Sequence, residues 1–377
     1  MIDITPPPGT HLAGSGAGEH RPAQSVMDPL YAKAIAFAAG GQRVVMVVLD
    51  LTQTHSARMG LGRGVVGDLA FNRRGIRRDG TVAMPKPQGR ERQPFGIDDI
   101  CYLEGPMDPE VGVCCIQDLD LKLITFMLHY TCHPVNAFGN PQTYRAVTAD
   151  WPGAWSKNMR AAFGEDVVPL VVNGCCGNIN PWHPFDPECR PDHLRMGREL
   201  AEMSERIVYN MGFAEDVALA CKTEEIGLPY REIPAERQRE IDEILAKDPQ
   251  PPRAESGEVD PRWFRAASTK SIEYCRARAA EFAYEIQVFR IGDLGVVGLP
   301  GEPFVEGQLA LKERSPAPFL FPAHMSCHYV GYLPTRAAYE RGGHEANEDV
   351  TYWAKLAPGC LEAVVARARG CVAEAFG

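Results

Sequence analysis

The feature that most constrains this fold is an alternation of short apolar runs with longer stretches of helical character. Continuous apolar runs of this length are typical of strands buried on both faces of a sheet. The runs are residues 42–50, 121–129, 167–172 and 294–299. The stretches with helical composition or periodicity are residues 151–162, 195–210 and 357–376. Strands that alternate with helices predict an α/β fold.

The composition is that of a globular protein with an ample core. The chain has 377 residues, of which 45% are hydrophobic, enough for one large domain or two ordinary ones. Its formal charge of −10 argues against a nucleic-acid partner, which would call for a basic face. No apolar stretch reaches the ~18 residues of a transmembrane segment, and the first residues lack the pattern of a signal peptide.

The 12 cysteines do not have the spacing of a zinc site or of a disulfide framework. No C-x-x-C occurs, and Cys114-Cys115 and Cys175-Cys176 are adjacent pairs within apolar surroundings. Buried thiols of this kind behave as small hydrophobic groups. We therefore predict reduced cysteines in a cytoplasmic protein.

Two segments depart from the alternation. Residues 60–110 are rich in arginine and proline with little periodicity, which predicts a functional loop. Residues 232–284 are charged and helix-forming but contain several prolines, which predicts two helices joined by a solvated loop. We interpret residues 1–377 as one large domain with a helical insertion around 232–284.

Two histidines follow apolar runs. His55 comes soon after the run that ends near Asp50 and precedes glycines 60, 62 and 64, which we interpret as a turn. Functional groups gather at such strand ends in open α/β sheets, although a lone histidine is equally well a structural residue. His133 lies at the end of another run, where Pro134 ends the strand, and it is the better metal-ligand candidate. His129, inside that run, is predicted to be a core residue.

A carboxylate and two phenols also follow apolar runs. Glu302 comes after Pro300-Gly301 at the end of the run 294–299, and Tyr329 and Tyr332 lie downstream. An imidazole, a carboxylate and a phenol brought together supply the nitrogen and oxygen ligands of a metal site. The sequence therefore predicts a metal-dependent hydrolase, although an exposed turn glutamate and packed tyrosines remain alternatives.

Residues 173–181 form a segment rich in asparagine and glycine after a further apolar run. Its backbone N–H groups could face an anion or a developing oxyanion. Asparagine and glycine are also the favoured residues of plain turns, so both interpretations stay open.

In number and order, these motifs resemble those of the neutral/alkaline, non-lysosomal ceramidase superfamily, in its catalytic domain. The resemblance implies a fold of mixed sheets flanked by helices. The chain looks too short to hold the C-terminal immunoglobulin-like domain of true ceramidases, so we expect none. The matching pieces include Asp3 to Pro7, Asp28 to Ala34, Val48 to Asp50, Thr54 to Ser56, Phe71 to Arg73, Asp108 to Gly112, His133-Pro134, Ala149-Asp150, Asn173 to Pro181, Pro300 to Glu302, Gly331 to Thr335 and Gly342 to Glu345.

The resemblance also implies a site. It implies one Zn²⁺ ion held by His133, Glu302 and Tyr332. It implies further that His55 contacts substrate or handles a proton, and that Asn72 and Arg73 contact substrate.

Two positions depart from the family pattern. Gln53 stands where the family has its first metal histidine, unless a stretch near residues 50–54 has been deleted or is missing. Asn180 replaces the serine of the family motif, and Asn178 replaces its aspartate. An amide cannot act as nucleophile or acid, but it can orient a carbonyl or hydroxyl. We therefore expect Asn180 in the catalytic centre, with Asn178 and Tyr329 as substrate contacts.

The favoured mechanism is attack of a zinc-activated water on an N-acyl (amide) bond. Arg73 and the 173–180 turn would hold the oxyanion, and Asp150 would orient His133. Hydrolysis of an ester or sugar linkage on the same fold, or a catalytically decayed binding protein, remain alternatives. A polar or anionic small molecule is the expected substrate if the arginines at 63, 73, 74, 77 and 78 face it rather than solvent. Assembly of identical copies is left open.

Overall fold

The structure is a computed structural model of the 377-residue chain. The residues that it describes are 2–10, 22–32, 34–39, 42–47, 56–85, 100–138, 142–143, 146–186, 188–215, 217–255, 257, 259–347 and 353–377.

Its secondary structure mixes helices with strands throughout. The helices are α1 (Asp150–Phe163), α2 (His193–Tyr209), α3 (Ala235–Lys247), α4 (Pro261–Arg278), α5 (Val305–Lys312), α6 (Arg336–Arg341) and α7 (Cys360–Phe376). The strands are β1 (Ile2–Asp3), β2 (Ser25–Val26), β3 (Tyr31–Ala32), β4 (Ala34–Ala39), β5 (Gln42–Val47), β6 (Ala57–Val65), β7 (Phe71–Asn72), β8 (Gly75–Arg77), β9 (Val82–Ala83), β10 (Ile100–Leu103), β11 (Glu110–Asp118), β12 (Leu123–Tyr130), β13 (Ala146–Val147), β14 (Val168–Asn173), β15 (Ile179–Asn180), β16 (Phe213–Ala214), β17 (Leu219–Pro229), β18 (Glu281–Ile291), β19 (Leu294–Gly298), β20 (Glu302–Pro303), β21 (Phe319–Ala323) and β22 (Tyr332–Leu333).

A five-stranded mixed sheet, in the order β14-β12-β11-β6-β16, forms one part of the core. Its strands pair antiparallel except β12 and β14, which run parallel. Helices α1 and α2 pack against each other and against this sheet. Trp151 and Trp155 of α1 and Leu200 of α2 are fully buried there with Phe126 and Leu128 of β12. Large aromatic side chains of this kind account for much of the apolar area that a core removes from water.

A four-stranded mixed sheet, in the order β17-β18-β19-β21, forms a second part of the core. Only the β19–β21 pair is parallel. Helix α7 packs on this sheet through apolar residues at helical spacing, among them Val364, Ala368 and Val372. The amphipathic C-terminal helix predicted from the sequence is therefore present and closes the sheet.

These elements confirm the α/β prediction. The runs at 121–129, 167–172 and 294–299 correspond to β12, β14 and β19, and the helical stretches correspond to α1, α2 and α7. The first run contains β5, which pairs with β4, while residues 48–50 lie outside the described residues.

Two short ladders connect distant parts of the chain. β15 pairs antiparallel with β7, so that Ile179 lies opposite Asn72 and Asn180 opposite Phe71. β20 pairs parallel with β22, so that Glu302 lies opposite Tyr332. Each strand of these ladders is the next element in the chain after a strand of one of the two larger sheets, and together the ladders assemble the candidate site described below.

The segment 60–110 is not one long loop, and its glycines do not form a turn. Gly60, Gly62 and Gly64 lie within β6, which pairs with β11 on one side and β16 on the other. A Cβ atom on any of them would come within 3.0 Å of a side chain at the end of α2 or just after it. The glycines therefore let the helix approach the strand closely, which the sequence prediction of a turn missed.

We expect Gly62→Ala to destabilise the fold by about 1–3 kcal/mol, because the new methyl group overlaps Ile207 in a packed core. Urea unfolding measures the change in free energy. Gly370→Ala in α7 is the matched control, since nothing lies within 4 Å of its Cβ position and alanine favours helix. Equal stability of the two variants would contradict this account of the close approach.

The segment 232–284 contains α3 and α4, which pack against each other and bury Ile241 and Ile272, respectively. The prediction that residues 1–377 form a single domain with this insertion stays a prediction. In the described part of the chain, no helix combines the length and the hydropathy that crossing a membrane requires. Every cysteine lies within the described residues and none forms a disulfide, and several, including Cys114 and Cys175, are fully buried.

Candidate functional site

The site begins where β12 ends. Three residues after Tyr130, His133 lies against the β15 ladder, and both its backbone N–H and its ring contact the Ile179 carbonyl. The backbone N donates over 3.1 Å and ring Nδ1 lies 2.9 Å from the same oxygen. Because a carbonyl oxygen only accepts, Nδ1 carries the proton and Nε2 points away from Ile179.

His133 Nε2 faces a carboxylate. It lies 2.8 Å from Glu302 Oε2, and both residues are more than nine-tenths buried. In a neutral ring with the proton on Nδ1, the Nε2 lone pair would face a lone pair of an ionised carboxylate. Two lone pairs at this distance repel, so the pair requires a proton or a cation between them.

Glu302 is ionised at neutral pH. Burial alone would raise the pKa of its carboxyl, but the contact with His133, a hydrogen bond from Tyr329 and the charge of Arg73 lower the pKa to about 2. Tyr329 donates to the other carboxylate oxygen, Oε1, over 2.8 Å, while its ring is half exposed. Tyr329 therefore borders the site at its solvent-facing side.

Tyr332 lies on the buried side of the same carboxylate. It is the ladder partner of Glu302, and its ring centroid is 6.4 Å from that of His133. Burial raises the pKa of the Tyr332 phenol, although the charge of Arg73 partly offsets that rise. The structure therefore brings the imidazole, the carboxylate and the phenol that the sequence singled out close together.

Arg73 supplies the positive charge of the site and is itself buried. Its Nε donates to Glu345 Oε1 over 2.7 Å, and its Nη1 donates to Asn180 Oδ1 over 3.2 Å. Its guanidinium carbon lies 5.2 Å from the Tyr332 ring centroid. Burial opposes its charge, but Tyr332 and Glu345 raise the pKa of Arg73 above its ordinary value. Within the described residues, its Nη2 has no hydrogen-bond partner.

Asn72 and Asn178, expected to contact substrate, have structural hydrogen bonds instead. Asn72 Oδ1 accepts from the Arg74 backbone N over 3.0 Å, and its Nδ2 donates to the Pro106 carbonyl over 3.2 Å. Asn178 Oδ1 accepts from the Val305 backbone N, and its Nδ2 donates to Glu306. Both side chains are almost fully buried. They hold the turn before Arg74 and the start of α5 in place.

Asp150, expected to orient His133, bonds elsewhere. Its carboxylate accepts from Asn136 Nδ2 over 2.9 Å and from the backbone N–H groups of Ala137 and Trp151. The His133 ring is oriented instead by the hydrogen bond that its Nδ1 donates to the Ile179 carbonyl. Asp150 thus fixes the chain segment that follows His133, rather than the imidazole itself.

Two arginines of the segment 60–110, Arg63 and Arg74, are paired with acidic side chains. Arg63 projects from β6, where it contacts Glu110 and lies 4.3 Å over the Phe319 ring. Arg74 is buried and paired with Glu104 and Glu345. The expectation of an anionic substrate, which rested on these side chains facing a ligand, therefore loses its basis for Arg63 and Arg74. His55 and Gln53 lie outside the described residues, so their placement stays a prediction.

Sequence analysis missed two groups beside the site. Glu345, in a segment matched only as a motif, holds Arg73. His324 has its ring nitrogens 3.6 and 3.9 Å from Cys176 Sγ, and burial together with the charge of His133 lowers its pKa to about 4. Glu345 follows no apolar run, but His324 comes directly after the apolar run that forms β21, so the strand-end argument could have selected it.

The residues fit a metal ion in part. Across the described ranges, no group of three or more His, Cys, Asp and Glu side chains is arranged to hold a metal. Nevertheless, His133 and Glu302 face each other with lone pairs that call for a cation, and the carbonyl on Nδ1 is the usual outer partner of a metal-bound histidine. Tyr332 and Tyr329 add phenolic oxygens. The donor set is therefore that of a nitrogen- and oxygen-ligated divalent cation.

The stability that Glu345 contributes should depend on pH. Burial alone would raise the pKa of its carboxyl, but Arg73 and Arg74 lower it from 4.5 to about 2. With a lowered folded-state pKa, the contribution is complete above the unfolded pKa and is lost as pH falls through the folded pKa. The free energies of unfolding of the unsubstituted protein and of Glu345→Gln, measured in urea, should therefore converge as pH falls from about 5 to about 2. Their difference should shrink by on the order of 3 kcal/mol. A difference that does not change with pH would contradict the pairing.

The fold is similar to that of ceramidases of known structure. One is a ceramidase complexed with C2 (TM-score 0.54) and another is neutral ceramidase from Pseudomonas aeruginosa (TM-score 0.52), each 16% identical to this chain in sequence. Each match covers 85% of this chain but 53% and 52% of the ceramidases, so the chain spans about half their length. No family model and no curated protein matches the sequence. The likeness confirms the predicted neutral-ceramidase-like fold.

Proposed function

We propose that the protein is a zinc-dependent hydrolase that cleaves an N-acyl (amide) bond at the site of His133 and Glu302. The single observation that carries the proposal is the contact of these two side chains, 2.8 Å apart, with the outer ring nitrogen fixed by a carbonyl. Tyr332, the ladder partner of Glu302, would be the third ligand. His55 would be the residue that accepts and donates the proton, as expected from the sequence.

The fold supports a hydrolase of this kind, because the structural neighbours are ceramidases. Since the chain spans about half their length and shares 16% identity with them, their activity comes to this chain only as a proposal. The amide bond is the linkage we favour on this likeness.

A bound zinc ion would supply a water of lowered pKa and would polarise the scissile carbonyl. The chain's own residues perform the rest. Ile179 holds His133 with Nε2 directed at Glu302. Arg73 Nη2, a buried donor for which the described residues offer no well-placed acceptor, would donate to the substrate oxygen on which negative charge develops. Asn180 Oδ1 accepts from Arg73 Nη1 and so fixes that branch of the guanidinium. An amide oxygen can perform this role, so the serine hydroxyl of the family motif is not needed for it.

The test combines metal analysis with turnover. Purified protein is analysed for zinc, and hydrolysis of an N-acyl amide, an ester and a glycoside reporter is followed with and without chelator. We expect stoichiometric zinc and chelator-sensitive cleavage of the amide reporter. If only the ester or only the glycoside is cleaved in a chelator-sensitive way, that linkage and not the amide is the bond that the protein hydrolyses. Protein with neither zinc nor turnover would support a decayed binding protein instead.

A further inference from the structure

Glu345 joins two arginines that have different surroundings. Its side chain is 1% exposed, with Oε1 2.7 Å from Arg73 Nε and Oε2 2.8 Å from Arg74 Nη1. Burying two guanidinium groups next to each other is costly unless a carboxylate lies between them. Each carboxylate oxygen here accepts from one arginine, so both oxygens are needed.

Arg74 is the fixed partner of the two. Its remaining donors bond to Glu104 and to the carbonyls of Gly342 and Ala338, and its side chain is 1% exposed. With every branch of its guanidinium held, Arg74 cannot reach a substrate. It anchors Glu345, and Glu345 in turn holds Arg73.

The backbone before Glu345 is shaped to deliver it. Gly342 and Gly343 have φ angles of 70° and 91°, which side chains rarely allow. A Cβ atom on Gly343 would lie 2.8 Å from Arg74 Nη1. The two glycines therefore let the chain pass directly over Arg74 and place the carboxylate between the arginines.

We propose that Glu345 is a positioning residue that sets the orientation of Arg73, so that Nη2 is presented to the substrate oxygen. The inference rests on the function proposed above and deepens it. The Arg73 guanidinium contacts Glu345, Asn180 and the Tyr332 phenol, and of these only Glu345 is a charged group. Hydrogen bonds to charged partners are the stronger ones, so Glu345 determines the plane of the guanidinium.

Glu345→Gln tests the positioning role of Glu345 while it leaves the size of the side chain almost unchanged. The glutamine has nearly the same shape, but only one of its two terminal atoms accepts a hydrogen bond. Its NH₂ must therefore face one of the two arginines, and Arg73, which has fewer anchors than Arg74, is the one expected to move. We expect kcat on the amide reporter to fall about 100-fold with little change in KM, and zinc content to stay the same.

Glu104→Gln is the matched control. Glu104 pairs with Arg74 but has no hydrogen bond to Arg73 in the described structure, and it is mostly buried. Both substitutions remove one carboxylate from the same cluster, so a merely structural role would predict similar losses. We expect kcat of Glu104→Gln to stay within about threefold of the unsubstituted protein; a loss equal to that of Glu345→Gln would overturn the proposal.

A double-mutant cycle with Arg73→Lys tests whether Glu345 acts through Arg73. In the Arg73→Lys background, Glu345→Gln should lower kcat no further, whereas independent losses that multiply would overturn the proposal. The same cycle is measured in urea unfolding, where non-additivity of about tenfold in the unfolding constant is expected. If the unsubstituted protein cleaves no reporter, the proposed function fails, and this second readout alone decides whether Glu345 holds Arg73: additivity there overturns the inference.

Discussion

Glu302→Gln and His133→Ala should each lose bound zinc and hydrolytic turnover together. His133→Ala removes one of the two donors that face each other at 2.8 Å, and Glu302→Gln replaces the other by a weak neutral amide. The strong donor that remains, together with the Tyr332 phenol, is too small a ligand set for a zinc site. The loss of zinc affinity should exceed the ~10–100-fold that changes in outer partners of a metal site cause. Elemental analysis of dialysed protein and turnover of the amide reporter measure the two effects.

Glu306→Gln is the matched control for Glu302→Gln. It makes the same chemical change on a partly buried carboxylate four residues along the chain, where the side chain accepts from Asn178 rather than facing His133. We expect zinc content to be unchanged in this variant. Stoichiometric zinc retained in both Glu302→Gln and His133→Ala would contradict the assignment of the site.

Arg73→Lys should lower kcat by about 10²–10³-fold while zinc stays bound. A guanidinium can bond to Glu345 and Asn180 and still present Nη2, whereas an ammonium on a flexible stem lacks this planar fork. The charge is preserved, so Glu345 is not left uncompensated and the fold should survive. Single-turnover kinetics of the amide reporter at saturating concentration isolates the chemical step.

Arg74→Lys is the matched control for Arg73→Lys. Arg74 shares Glu345 with Arg73, but its other donors are bonded to Glu104 and to backbone carbonyls. We expect lower stability in urea but nearly unchanged kcat. If the two variants lose kcat equally, Arg73 acts as a structural residue and the assignment of Nη2 to the substrate oxygen is wrong.

Much of the fold could be predicted from the sequence, because apolar runs and helical periodicity report burial directly. β12, β14 and β19 lie where the runs indicated, and the residues just beyond strand ends follow from that placement. His133 and Glu302 were placed just beyond β12 and β19 in this way. These strands belong to different sheets, so the convergence of the two side chains followed from the family resemblance rather than from the strand ends alone.

The partners of polar side chains could not be predicted in the same way. Asn72, Asn178 and Asp150 carry the residue types of a functional site, yet each is buried in local hydrogen bonds that fix the backbone. Which group accepts from which depends on distances between segments far apart in the chain. No periodicity in the sequence records these distances.

The glycines of β6 and the role of Glu345 were missed for a related reason. Glycine is typical of turns, but in β6 it serves the close approach of α2, a property of the packed pair rather than of the strand. Glu345 becomes informative only once Arg73 and Arg74, more than 270 residues away in sequence, are seen on either side of it.

The most direct test of the central claim is anomalous scattering at the zinc absorption edge from crystals equilibrated with zinc. The account predicts one strong anomalous peak within coordination distance of both His133 Nε2 and Glu302 Oε2, with those two atoms no longer in direct contact. A crystal containing zinc in which the imidazole and the carboxylate remain hydrogen-bonded to each other, with the peak elsewhere, would contradict it.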